Sequence, residues 1–155
     1  MKNAVFLILL LTVSLAASAQ ETDFSGKWKL NTGKSKLNED FSSAPFQVVI
    51  TQDGNDMTIE RHQDFRGETS VMTDKYTLDG KECQNKAFME SVKTSTAKWS
   101  EDGKSLKVSS KIVQEDGNET IITEIFKFDG DNLVIDYVRA VFWGETEETF
   151  VFDRI

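Results

Sequence analysis

Five Asp-Gly pairs interrupt the chain: Asp53-Gly54, Asp79-Gly80, Asp102-Gly103, Asp116-Gly117 and Asp129-Gly130, with Arg66-Gly67 and Trp143-Gly144 in similar positions. Both residues of such a pair tolerate positive φ, which tight hairpin turns require. Between them lie runs rich in Val, Ile, Thr and Phe, among them "FQVVITQ", "MTIERHQ", "SLKVSSKIVQ", "ETIITEIFKF", "NLVIDYVRAVFW" and "ETFVFDRI". β-rich runs separated by hairpin turns at regular spacing predict an all-β barrel or sandwich. Pro45 is the one proline, and no helical apolar period is long enough to supply the crossovers of a parallel sheet. The sheet is therefore expected to be antiparallel and sequentially connected. Left open, it would expose two edges, which closure removes. The expected fold is an antiparallel up-and-down β-barrel of roughly 8–10 strands. One stretch departs from the meander. "NTGKSKLNEDFSSA" is polar except for Leu37 and Phe41, whose spacing of four suggests a short helix or lid over one barrel mouth.

The first twenty residues read as an export signal: Lys2 gives a positive start, "AVFLILLLTVSLAA" an apolar core, and "ASA" a small-residue cleavage pattern ending near Ala19 or Gln20. The apolar run falls short of the roughly 20 residues that a membrane-spanning helix needs. The expected product is exported, periplasmic or secreted, with no stable membrane insertion. Removal of the signal leaves 135 residues, a single domain over 21–155, and enough chain to bury about two-thirds of its unfolded surface. Cys83 is the only cysteine, so no internal disulfide can form, and it is expected to act as a buried or half-buried small apolar group.

Charge excludes one class of partner. Once Lys2 leaves, 17 basic residues face 26 acidic ones, a balance of −9. Such a surface repels nucleic acid and anionic membranes. The charges are interspersed, as on a solvated surface.

The first β-run, "FSGKWKL" from Phe24 to Leu30, carries a Gly-x-Trp element, Gly26 and Trp28. It resembles the first strand of the calycin superfamily, the lipocalins and fatty-acid-binding proteins, and in particular the lipocalin-like proteins exported by bacteria. The resemblance implies that Gly26 lets the chain bend into the barrel while the indole of Trp28 plugs its closed end beneath an arginine of the last strand, for which Arg154 is the candidate. The residues agree independently: a Trp opening the first strand and an Arg ending the last meet if the barrel closes, and a guanidinium over an indole contributes roughly 0.5–2 kcal/mol. The chain differs from many lipocalins in having no helix after its last strand, and from fatty-acid-binding proteins in its export signal and shorter connection after the first strand.

Strands of a barrel send alternate side chains inward. One face of "NLVIDYVRAVFW" carries Leu133, Ile135, Tyr137, Arg139, Val141 and Trp143. If that face points inward, Tyr137 and Arg139 could hold a carboxylate or phosphate through a hydroxyl and a planar donor fork; alternatively, Arg139 pairs with an interior acid. Arg61, sharing a face with Met57, Ile59 and Phe65, is a second ligand candidate. His62 lies on the opposite face beside Glu60 and Asp64, a poor set for zinc, which favours several nitrogen or sulfur ligands. No nucleophile elbow, phosphate loop or dinucleotide fingerprint occurs, so no catalytic residue, metal or cofactor is assigned.

These features favour a barrel holding a small apolar or amphipathic ligand, anionic if Arg139 anchors it. Two other readings stand beside it: a small barrel enzyme using acid–base groups in its cavity, and an interaction module whose eleven Phe residues help fill the barrel.

Overall fold

A computed structural model of the chain describes residues 20–65, 67–87 and 91–155, without the Phe65 side chain. The export signal expected over residues 1–20 therefore lies outside the described residues, apart from Gln20. Ten strands follow one another: β1 (Gly26–Leu30), β2 (Gln47–Asp53), β3 (Asp56–Phe65), β4 (Glu68–Thr77), β5 (Asp79–Lys86), β6 (Val92–Trp99), β7 (Leu106–Val113), β8 (Glu119–Asp129), β9 (Asn132–Val141) and β10 (Gly144–Arg154).

The strands form one antiparallel sheet in the order β4-β3-β2-β1-β10-β9-β8-β7-β6-β5. Each strand pairs with its sequence neighbours except at two places. β1 pairs with β10, Trp28 opposite Arg154 and Leu30 opposite Phe152, which joins the first strand to the last. β4 and β5, consecutive in sequence, have no backbone ladder between them, and this seam leaves the barrel nearly closed.

Alternation sorts the side chains as the hairpin pattern requires. The closed end and its adjoining wall bury a set of large apolar side chains: Trp28, Phe24, Ile50, Met57, Leu106, Phe126, Leu133 and Phe152. Residues before β1 complete this end. The Thr22 N–H donates to the Gly103 carbonyl at 3.0 Å, Gln52 brackets the segment by accepting from Phe24 N at 2.5 Å and donating to the Thr22 carbonyl at 3.2 Å, and the Phe24 ring stacks on Trp99 at 5.8 Å. Gly103 has φ +67°, and a β-carbon there would lie 2.9 Å from the Gln20 carbonyl oxygen. Only glycine meets both conditions without strain.

The connection from β1 to β2 contains no helix, which corrects the helical alternative for "NTGKSKLNEDFSSA". Many of its polar groups bond locally or to β10. The Asn38 side chain accepts from Asp40 N and Phe41 N at 3.1 Å each, Lys36 bridges to Thr149, and buried Glu148 accepts from Asn38 N at 2.9 Å and Ser43 N at 3.0 Å. Such bonds compete with the helical i→i−4 ladder. Leu37 packs on the core while Phe41 is exposed.

Candidate functional site: the barrel interior

At the closed end the Arg154 guanidinium lies 4.2 Å from the Trp28 ring. The indole N–H donates to the Phe24 carbonyl at 3.0 Å. Gly26 has φ +149°, and a β-carbon there would approach Arg154 Nη1 to 2.8 Å and Trp28 Nε1 to 3.3 Å. Gly26, Trp28 and Arg154 are thus in mutual contact where the first and last strands meet.

Halfway up the barrel the lining changes from apolar to ionic. Arg61 on β3 donates through Nη1 to Asp74 on β4, and through Nη2 to both carboxylate oxygens of Glu124 on β8 at 2.9 Å. Lys93 on β6 closes the set with its ammonium 2.6 Å from Asp74 Oδ1. In the strand order β3 and β8 stand on opposite walls, so the Arg61–Glu124 pair crosses the lumen. The Lys93–Asp74 pair spans the seam from inside. Two cations and two carboxylates balance, as buried charges must. Burial alone would lower the Arg61 pKa, but Glu124, with Tyr76 and Asp74, outweighs it and holds the pKa above its ordinary value. The sequence candidate Arg61 therefore faces the interior with its guanidinium occupied by the protein's own carboxylates.

The inner face of β9 carries Tyr137, opposite Glu124 and Glu148, and Arg139, opposite Ile122 and Thr146. Burial pushes the Tyr137 phenol above its ordinary pKa, partly offset by a hydrogen bond with Ser43 of the β1–β2 connection. Arg139 is half-buried near the mouth, and it makes no hydrogen bond or ion pair with another described residue. Among the described residues it is the interior arginine whose donors no other side chain takes. Above it the β1–β2 connection covers part of the mouth, held by Glu148 and by Gln63, which donates to the Ser43 carbonyl at 3.1 Å.

His62 is half-buried, edge-on to Phe46 at 6.1 Å, with Nε2 3.7 Å from Glu60. Cys83 is half-buried on β5, donating to the Ser95 carbonyl at 3.3 Å, and burial raises its pKa.

Sequence reasoning missed Asp74, Lys93, Glu124 and Glu148. A signal existed for Glu124, which interrupts the alternating inward series Ile122, Phe126 and Phe128 on β8. None existed for Asp74 or Lys93, because their strands are polar on both faces.

No protein-family model matches the chain, and no curated protein matches it in sequence. Solved structures match in shape. What they share with this chain is the fold, here a ten-stranded, nearly closed, antiparallel up-and-down barrel. One similar structure is the zebrafish ileal bile-acid-binding protein complexed with cholic acid, with TM-score 0.56 and 17% identity over 85% of this chain and 98% of that one. Another is a secretory abundant heat-soluble protein of Ramazzottius varieornatus, at 0.58 and 10% over 90% and 100%. A third is the apo lipid-binding protein 8 of Caenorhabditis elegans, at 0.54 and 14% over 85% and 95%.

Proposed function

We propose that this protein is an exported, non-enzymatic carrier of the lipocalin-like kind that holds a small amphipathic acid in its barrel. The observation that carries the reading is Arg139: an arginine on the inner face, near the mouth, beside Tyr137 and without a protein partner among the described residues. An apolar body would be stabilised by burial at roughly 25 cal/mol per Å². A carboxylate at the mouth would take charge-assisted hydrogen bonds from the guanidinium, and the Tyr137 hydroxyl would donate as a neutral phenol. Cholic acid, the ligand in one of the similar structures, belongs to this chemical class. Arg61 acts in this reading as the internal brace that shapes the pocket floor.

The test is displacement of 1-anilinonaphthalene-8-sulfonate by dodecanoate and by its methyl ester. The acid is expected to bind about tenfold to a hundredfold more tightly, the value of a charged hydrogen bond of about 1.5–3 kcal/mol. Arg139→Leu is expected to remove that preference while retaining the ester. Equal affinities in the parent would overturn the anchor.

One observation favours a second reading, in which the barrel is filled by its own side chains and works through its outer surface. The Arg61–Glu124 brace crosses the lumen, while Phe142 and Trp143 at the tip of the β9–β10 hairpin stand 71% exposed, edge to face at 4.4 Å. Absence of binding by all three probes would select it.

A further inference from the structure

The seam between β4 and β5 is the one place in the sheet order where consecutive strands have no backbone ladder, and its closure is unusual. The carboxamide of Asn85 on β5 reaches across to Lys75 on β4. Its oxygen accepts from Lys75 N at 2.7 Å, and its nitrogen donates to the Lys75 carbonyl at 2.9 Å. One side-chain amide thus fills the place of a peptide unit in a neighbouring strand, donor and acceptor matched to the open edge. Beside this clip a cleft of about 370 Å³ opens into the seam, within the range of about 300–1,000 Å³ usual for small-molecule sites. Met57 and Tyr76, both buried, and half-buried Cys83 give it an apolar floor, while Thr77 and Gln84 belong to its walls. The buried Thr77 hydroxyl, turned toward Asp79, completes no well-aligned hydrogen bond.

We propose that this cleft is a binding site for small neutral molecules that combine an amide with an apolar group. The amide continues along the open edge the pairing that Asn85 begins, and the apolar group covers Met57, Tyr76 and Cys83. A neutral ligand suits the surroundings: Asp56 and Lys75 both line the cleft, which therefore presents one charge of each sign and no net charge to select an ion. Arg139 stands on the opposite wall, beyond the ionic brace. The seam site is therefore distinct from the mouth, and the two can be occupied independently.

The experiment uses hexanamide and methyl pentanoate, which match in size but differ in the N–H donors. In nitrogen–proton correlation spectra of the labelled protein, hexanamide is expected to shift the amides of Lys75, Thr77, Cys83 and Gln84 with a millimolar dissociation constant, and the ester to bind about tenfold more weakly. Asn85→Ala supplies a second readout by removing the natural amide. Hexanamide is expected to raise the melting temperature of that variant more than that of the parent, and methyl pentanoate to raise neither. Equal responses to amide and ester, shifts confined to the β9 wall around Arg139, or an Asn85→Ala protein that hexanamide stabilises no more than the parent would each overturn the seam site. None of these outcomes depends on whether dodecanoate binds at the mouth.

Discussion

Gly26 shows how one residue can serve both backbone and side-chain contacts. Its φ of +149° suits glycine, and the space a β-carbon would need is taken by Arg154 and Trp28. Gly26→Val is expected to destabilise the barrel by about 2 kcal/mol, the sum of backbone strain and displacement of the guanidinium from the indole. Chemical denaturation measures it, and a midpoint equal to the parent's would show that Arg154 yields without cost. At this scale the sequence was informative where contacts are local or lie along a strand. Alternation placed Tyr137 and Arg139 together on β9, and Gly-x-Trp marked the first strand. The sequence marked Arg61 as a ligand candidate but was silent about its partner, because Glu124 lies 63 residues away on the opposite wall. Periodicity identifies the face of a strand, whereas the residue met across a lumen depends on the barrel's closure and register.

Among the elements, the connections were legible and the polar strands were not. All five Asp-Gly pairs lie at strand ends or in the links between strands, and each of their glycines has positive φ, as tight reversals demand. Strands β4, β5 and β6, with sequences such as "DGKECQNK", lack an apolar run, since two of them border the seam and much of their surface is solvated. A polar edge also resists unwanted pairing with other chains. The β1–β2 connection gains its conformation from a residue far along the chain, Glu148 on β10. Glu148→Ala is expected to leave the Asn38 and Ser43 amides without their acceptor and to destabilise the protein by about 2 kcal/mol. Hydrogen exchange is expected to show protection lost first over residues 36–46 while the β8–β9 ladder keeps its own. Unchanged protection of those amides would mean that water replaces the carboxylate without penalty.

For the whole molecule, the tyrosines report integrity. The chain has two, Tyr76 and Tyr137. Burial raises both phenol pKa values, more strongly for Tyr76, where Arg61 only partly opposes the effect. A raised folded value means that the neutral form is held by the fold. The corresponding stability is fully present below the unfolded pKa of about 10 and is lost as pH climbs through the folded value. Absorbance at 295 nm is expected to show no phenolate step near pH 10 while the circular dichroism stays native, and then both ionisations together with cooperative unfolding. A step near pH 10 in an intact barrel would contradict it. The pairing of β1 with β10 has a temporal consequence. Trp28 lies opposite Arg154, so the interaction that joins the first strand to the last has nearly the greatest sequence separation among the described residues. Closure must await synthesis of β10, and any nascent chain lacking that strand carries an unsealed sheet. High contact order of this kind slows folding, which keeps the newly made polypeptide pliable until β10 is free to zip onto β1.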